Sequence, residues 1–311
     1  MQFLVTGGAG FLGVALSNRL VRDGHQVYVI DDLSAGDPDR LDPAVLFTRG
    51  DVTDIPKLWT LLHGVDCVYH LAARVSVAES ILYPRDYNRV NVGGTVSVME
   101  AMRDAGVKRV VFASSGALYG EQAHQPVSES QTPNPDSPYG VSKLAAEYYI
   151  RTIGALWGIE TVALRIFNAY GPGHRTRPAH PPAIPQFLKQ ALTGGSLVVM
   201  GDGTQTRDFV YVSDVVDALV VAATALGIDR QVINVGSGVE VSLNQLVETV
   251  ERVLGRTVPV IYSKDQSGGV SRLCADITLA RRLLHLESKV GLEQGLKKTI
   301  ELDPQFARHW A

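Results

Sequence analysis

The sequence predicts an α/β chain: a doubly wound parallel sheet followed by a smaller α/β unit. Three observations carry this. Short β-rich runs alternate with helical patterns through the first half. The first run ends in a glycine-rich turn that opens a helix, and the second ends in an acid. After Asn168 the texture changes to proline- and glycine-rich segments. Strands that alternate with helices form a parallel sheet, because each crossover lays a helix on one of its faces.

The elements follow in order. Gln2–Thr6 is a strand, Phe11–Asp23 a helix and Gln26–Ile30 a strand. Ala44–Arg49, Cys67–Leu71 and Val110–Ala113 are further strands, with helical patterns between them. Ala101–Gly106 reads as a helix end, with Gly106 just past the last turn, where a left-handed residue is wanted. Pro138 suits the start of a long helix, Tyr139–Gly154. Gly171–Pro185 holds five prolines and four basic or imidazole side chains, and reads as an ordered loop. Gly194–Thr206 is rich in glycine around one apolar run, Leu197–Met200. Ile233–Val235 is again a strand, and Ser242 with Gln245 is a capping-box pattern opening a helix to Leu254. The main boundary falls near Gly171. Residues 1–170 form the first unit, with 208–240 returning to it; 171–207 and 241–311 form the second.

Composition narrows the class. A chain of 311 residues suits one large domain or two small ones. A formal net charge of -3 gives no nucleic-acid surface. Cys67 and Cys274 each sit in an apolar run, which indicates buried thiols and no metal site or disulfide. No run of about 18 apolar residues offers a membrane span. The chain opens directly on the strand pattern MQFLVTGG without a basic leader, so a cytoplasmic protein is expected.

The glycine turn is Gly7-Gly8-Ala9-Gly10-Phe11-Leu12-Gly13, or G-x-x-G-x-x-G. Glycines let the backbone turn tightly and approach a pyrophosphate, and the helix N-terminus supplies free N–H groups and a positive dipole end. Asp31 stands 18 positions beyond Gly13, at the end of the second strand. A carboxylate there accepts from a ribose 2′-hydroxyl and repels a 2′-phosphate, which favours NAD over NADP. The plainer reading is that Asp31 and Asp32 only end a strand. Asp51-Val52, after the third strand, either faces adenine or likewise closes a strand.

Two further stretches carry chemistry. In Tyr139-Gly-Val-Ser-Lys143 the spacing puts the phenol and the ammonium on one helix face. A nearby ammonium favours phenolate, which makes Tyr139 a usable base for an alcohol proton. Phe112–Gly120, FASSGALYG, offers the hydroxyls of Ser114 and Ser115, and no carboxylate until Glu121.

GGAGFLG, Asp31, HLAA (70–73), SSGALYG, YGVSK and RIFNAYGP (165–172) occur together in this order. In this the chain resembles the extended short-chain dehydrogenase/reductases of the sugar-nucleotide epimerase/dehydratase group, over nearly its whole length. The resemblance implies a Rossmann-type sheet with a smaller C-terminal α/β substrate domain, and NAD as cofactor. Gly7, Gly10, Phe11, Leu12 and Gly13 would then cradle the pyrophosphate, and Asp31 with Asp32 would face the adenosine ribose. Asp51 and Val52 would meet adenine; Leu71, Ala72, Ala73, Asn91 and Phe167 would line the cofactor. Tyr139 would be the base, Lys143 would also hold the nicotinamide ribose, and Ser115 would be the catalytic hydroxyl. Asn168 and Arg207 would contact a nucleotide-diphosphate sugar.

The resemblance frays near the C-terminus. Gln266-Ser-Gly-Gly269 stands where the family has R-x-G-D, and Arg272 is the candidate replacement for the missing arginine. Leu273 falls where the family varies residue size to admit or exclude an N-acetyl group, and leaves that choice open. His174, Arg175 and Arg177 either touch an acidic sugar or are solvated loop charges. A homodimer through Asn91–Ala105 and Tyr139–Leu156 is implied.

Within the family a 4-keto sugar is a branch point. Dehydratases carry Thr-Asp-Glu at the loop, and decarboxylases a hydroxyl pair followed by Glu. Here Ser115 is followed by Gly116 and Ala117, neither of which moves a proton. The expectation is an NAD-dependent 4-epimerase of the UDP-glucose/UDP-galactose type. The alternatives are a UDP-N-acetylglucosamine or UDP-uronic acid 4-epimerase, a 4-keto-sugar reductase, or an NAD-sensing binding protein.

Overall fold

The computed structural model describes residues 1–174, 182–263 and 269–310. Seven parallel strands form the main sheet: β1 (Gln2–Thr6), β2 (Gln26–Asp31), β3 (Leu46–Arg49), β4 (Cys67–His70), β5 (Arg109–Ser115), β6 (Glu160–Ile166) and β10 (Gln231–Val235). Their order is β10-β6-β5-β4-β1-β2-β3, every pair parallel. The chain runs outward from β1 to β3, then restarts at β4 on the other side. The switch point therefore lies between β1 and β4, where a crevice opens at the carboxyl ends of the strands. Thr6, Asp31, His70 and Ser115 are the last residues of their strands, so the sheet delivers them to one edge.

The strands are apolar on both faces because helices cover both. In β5, Val111 and Ala113 join one core with Val5, Val29 and Leu164. Val110 and Phe112 join the other with Leu4, Val68 and Ala163. That alternation is the pleat of a strand buried on two sides.

Several expected elements extend further than their patterns suggested. β5 continues through Ser115, and Gly116–Tyr119 closes it with a tight 3-10 turn. The long helix spans Pro138–Trp157, capped by Ser137, whose hydroxyl accepts from the Gly140 amide. Gly106 ends the helix Gly94–Ala105 at φ 75, and Ser242 with Gln245 forms the full capping box. The proline-rich segment is not loop to its end: a helix occupies Ala183–Leu192, with Pro185 in its first turn, where a missing N–H costs nothing.

Two small sheets complete the chain. One has the order β11-β9-β7, from β7 (Asn168–Tyr170), β9 (Thr206–Tyr211) and β11 (Glu240–Ser242). The other pairs β8 (Leu197–Met200) with β12 (Val260–Ser263). Phe167 alone separates β6 from β7, so the chain steps straight from the large sheet into a small one. The return is made by β10, which pairs with β6. β9 pairs instead with β7 and β11, so Asp208–Tyr211 belong to the small sheet. Cys67 and Cys274 are buried free thiols, and burial pushes each up to about 12. Among the described residues no helix is long and apolar enough to cross a membrane.

Candidate active site

The glycine turn is built for close approach. The N-cap of the helix Phe11–Arg22 is Gly10, no side chain caps it, and its first turn holds no acid. Its leading N–H groups are thus left for an anion. A Cβ on Gly13 would lie 2.3 Å from Gly7 O and 2.5 Å from Gly8 Cα. Both obstacles are backbone, so Gly13→Ala forces the turn open. The expected cost is about 1–3 kcal/mol of stability, read as a lowered melting temperature. NAD affinity is expected to fall about tenfold or more in calorimetry, equivalent to about 1.4 kcal/mol.

Asp31 is tied to this turn. Its carboxylate accepts from Ala9 N at 3.1 Å and from Leu33 N at 2.8 Å. Burial raises its pKa, and these amide bonds oppose the rise. Leu33 sits at φ 63, a left-handed conformation that strains a branched side chain and that the aspartate bond helps hold. Asp32 is exposed and accepts from Ser34 N. Asp51 is buried enough to raise its pKa, yet Thr53 and Arg89 together hold it below the ordinary value. The Val52 side chain is packed into the core against Gly94.

A directional hydrogen-bond chain places the cofactor-lining residues after β4. Ala72 N donates to Thr6 Oγ1 (3.3 Å), which donates to His70 Nδ1 (2.7 Å). His70 Nε2 donates to Thr95 Oγ1 (2.9 Å), which donates to the Asn91 carbonyl (2.6 Å). This tautomer is assigned from the chain itself: Thr95 has spent its proton, so it accepts from the ring. Burial and the Lys143 charge push His70 down to about 3, so it is neutral. Asn91 lies in a π-helical turn, Asn88–Gly93. Its side chain accepts from Arg74 N and donates to Arg74 O and to Ser142 Oγ. Asn91 thus joins Arg74, the residue that follows Leu71–Ala73, to the helix that bears Tyr139 and Lys143, and Ser142 in turn donates to Tyr139 O.

Ser115, Tyr139 and Lys143 meet at the end of β5. Ser115 Oγ accepts from Ala117 N at 3.2 Å and lies close enough to the Tyr139 phenol to lower its pKa. Tyr139 is 8% exposed and Lys143 3%, with Lys143 Nζ 4.5 Å from the Phe112 ring centroid. Here the electrostatics differ from the sequence expectation. Burial raises the Tyr139 pKa, and Ser115 only partly opposes it. Burial also drives Lys143 down to about 7 against the pull of Glu147. The reason is that both groups leave water together: desolvation disfavours each charged form before the pair can help the other.

Phe167 lies beside this trio. A Cβ on Gly116 would sit 3.1 to 3.2 Å from the Phe167 ring. Asn168 opens β7, half-buried, in register with Phe209. Arg207, in β9, donates Nη1 to Thr206 O at 2.7 Å. Burial lowers its pKa against the carboxylates of Glu121 and Asp136. Among the described residues it makes no ion pair, and a guanidinium so placed calls for an anion.

Arg272 departs from expectation. It is exposed and its fork is spent on Glu240, at 2.7 Å for both bonds, which holds Glu240 down at about 2. The planar guanidinium finds a carboxylate of matching geometry, so a diphosphate would have to displace Glu240 to engage it. Gln266 lies outside the described residues, as do Arg175 and Arg177. His174 is not a solvated charge: its ring stacks on Phe11 at 4.3 Å, and burial pushes it down to about 4.

Sequence reasoning missed Glu147, Arg165, Tyr119 and Asn234, which form a buried polar chain behind the trio. One signal was present. Glu147 continues the four-residue spacing of Tyr139 and Lys143, a carboxylate on an otherwise apolar helix face.

Comparison with known proteins bears on this arrangement. Residues 3–236 match the model of the NAD dependent epimerase/dehydratase family. A UDP-glucose 4-epimerase from Mycolicibacterium smegmatis is 37% identical over 309 residues, covering 97% of this chain and 98% of its own. The crystal structure of a UDP-glucose 4-epimerase with UDP-glucose from Thermotoga maritima superposes with a TM-score of 0.92 at 35% identity, covering 97% and 98%. MoeE5 in complex with UDP-glucuronic acid and NAD gives 0.89 at 36%, covering all of both chains. With a family model matched over most of its length and relatives similar from end to end, this chain belongs to the NAD-dependent epimerase/dehydratase family.

Proposed function

We propose that the protein is an NAD-dependent sugar-nucleotide 4-epimerase of the UDP-glucose/UDP-galactose type. The observation that carries this is the placement of Ser115 against the Tyr139 phenol, with Lys143 one turn along, beside an uncapped glycine turn. Gly7, Gly10, Phe11, Leu12 and Gly13 would hold the pyrophosphate, and Asp31 the adenosine ribose. NAD, when bound, supplies a reversible hydride acceptor for C4 of the sugar. Ser115 holds the C4 oxygen, and Tyr139 takes its proton and later gives it back. The Lys143 ammonium favours the phenolate during that exchange. Arg207 and Asn168 hold the nucleotide diphosphate while the keto sugar presents its other face.

The loop leaves the intermediate no other exit. Gly116 and Ala117 move no protons, and Phe167 packs over the space a side chain at 116 would need. Glu121, the first carboxylate of the loop, accepts from Ser271 N at 2.6 Å and from the Ser271 hydroxyl. It is thereby committed to the C-terminal segment. Gly116→Asp is expected to displace the Phe167 ring and bury a charge, at a cost of about 2 kcal/mol or more. Epimerase turnover should fall without any dehydratase product, as read by chromatography of the nucleotide sugars.

UDP is the nucleotide we favour, because the similar solved proteins are crystallised with UDP-sugars. Burial keeps His174 neutral, so it offers no cation to a uronate. We further propose a cytoplasmic homodimer. The helix Pro138–Trp157 exposes Val141, Tyr148 and Leu156, apolar surface that a second copy would cover.

The test is an NMR time course with UDP-galactose, UDP-N-acetylgalactosamine, UDP-galacturonic acid and dTDP-galactose in separate tubes. The expected result is the C4 epimer of UDP-galactose with no build-up of reduced nicotinamide. If no tube epimerises, and added NADH is consumed with a 4-keto sugar, the protein is a reductase.

A further inference from the structure

Behind the trio runs a buried chain of polar groups that the reaction itself does not touch. Glu147 is one turn beyond Lys143 and has no exposed surface. Its Oε2 accepts from Ser114 Oγ at 2.8 Å and from Arg165 Nε at 3.1 Å, and its Oε1 accepts from Arg165 Nη2 at 2.7 Å. Arg165, in β6, is 4% exposed and donates Nη1 to Tyr119 OH at 2.8 Å. Tyr119 donates to Asn234 Oδ1 at 2.8 Å, and Asn234 Nδ2 donates to Val127 O and Asp276 O.

A buried ion pair is a poor stabiliser, since desolvation consumes most of what attraction returns. An apolar pair of the same volume would pack this site as well. The location suggests another use. Glu147 follows Lys143 at a spacing that puts the two on one helix face. The same carboxylate grips Ser114, the chain neighbour of Ser115, which faces the Tyr139 phenol. One anion therefore bears on all three members of the trio.

We propose that Glu147, clamped by Arg165, is a positioning residue: it supplies the counter-charge for the Lys143 ammonium and pins the end of β5 that carries Ser115. This rests on the reading that Ser115, Tyr139 and Lys143 perform the epimerisation. Among the described residues the groups that face Lys143 are few. Its own helix gives Tyr139 and Glu147, β4 gives His70, and β5 gives the Phe112 ring, while Arg165 of β6 stands behind Glu147. Burial lowers the Lys143 pKa to about 7, and Glu147 is the group that opposes it. Without that charge the ammonium would be lost at lower pH.

The experiment uses the holoenzyme as wild type, Glu147→Gln, the double variant Glu147→Gln/Arg165→Met, and Ser114→Ala. The single glutamine leaves Arg165 buried without its counter-ion and is apt to unfold. The double variant removes both charges and is expected to melt near the wild type. Its kcat should still fall about tenfold or more at neutral pH, with KM within about threefold. The alkaline limb of its kcat profile should move about one pH unit lower. A double variant that melts like the wild type and keeps its pH profile overturns the proposal, because packing would then be the whole role. Ser114→Ala leaves the ion pair intact and frees β5 from it; kcat should drop a few-fold at unchanged KM. Wild-type kcat in Ser114→Ala removes the pinning half of the proposal, even if the double variant does not fold. Turnover is not required for the charge half. The Lys143 resonance, from lysine labelled at Cε and assigned with Lys143→Met, should titrate about one pH unit lower in the double variant. An unmoved titration overturns that half. If the wild type does not epimerise at all, the proposed function fails while this titration still decides the counter-charge.

Discussion

Tyr139→Phe is expected to lower kcat by about a thousand-fold, with KM within about threefold of wild type. The substitution removes one oxygen and little else. The ring is 8% exposed and packs edge-on against Tyr87, with centroids 6.4 Å apart, so phenylalanine fills the same space. What disappears is the acceptor for the C4 proton and the partner of the Ser115 hydroxyl. Proton transfer belongs to the transition state, whereas the nucleotide is held elsewhere. The loss should therefore fall on kcat, and the melting temperature should stay near the wild type. Initial rates of product formation and a thermal melt check both halves. A variant that retains a tenth of wild-type kcat would point to a different base and undo the assignment of Tyr139.

Why the sheet was legible and parts of the site were not is a question of where information is stored along the chain. β1, β2, β4 and β5 are short apolar runs bounded by turns, and burial on both faces demands such runs. The glycine turn was legible because Gly13 is a residue that backbone contact forces. β6 was missed although it is an interior strand of the sheet, held between β5 and β10. It carries Thr161 and Arg165, and Arg165 is tolerated there only because Glu147 meets it from a helix 18 residues earlier. β9 was missed for a similar reason. Asp208 is wholly buried, with four donors around it from Ser237, Gly238 and Ala275. In both strands a buried charge is paid for by partners distant in sequence, which no local pattern records. Arg272 is the converse. As a lone arginine near a missing one it looked available, and only the fold shows that Glu240 occupies it.

The electrostatics of the trio show a site built against its own stability. Enzymes hold charged groups where water cannot help them, so that the reacting atoms feel them more strongly. Lys143 is the clearest case, because its ammonium is buried beside an aromatic ring and a neutral histidine. Such a group should cost folding energy, and removing it should show that cost directly.

Lys143→Met is accordingly expected to abolish most activity and to stabilise the protein. Loss of the ammonium leaves only Ser115 to oppose burial at Tyr139, so kcat should fall by about a hundred-fold to a thousand-fold. The sign of the stability change follows from linkage. An unfolded lysine binds its proton up to its ordinary value of 10.5, and the folded one only up to about 7. Between these values the unfolded chain binds more protons, so wild-type stability rises with pH across that window. The cost of charging Lys143 is fully present below pH 7 and is gone above 10.5. Converted, the difference is on the order of 5 kcal/mol, an upper bound that structural relaxation and NAD binding reduce. The melting temperature of Lys143→Met should therefore exceed the wild type by several degrees at pH 6–7, and the gap should close as pH approaches 10. Melts of both proteins across that range, together with initial rates, test the two effects independently. A variant that melts lower at neutral pH would mean that Glu147 stabilises the ammonium by more than burial costs it. In that case Lys143 stays charged well above neutrality, and the alkaline fall in activity would have to come from another group.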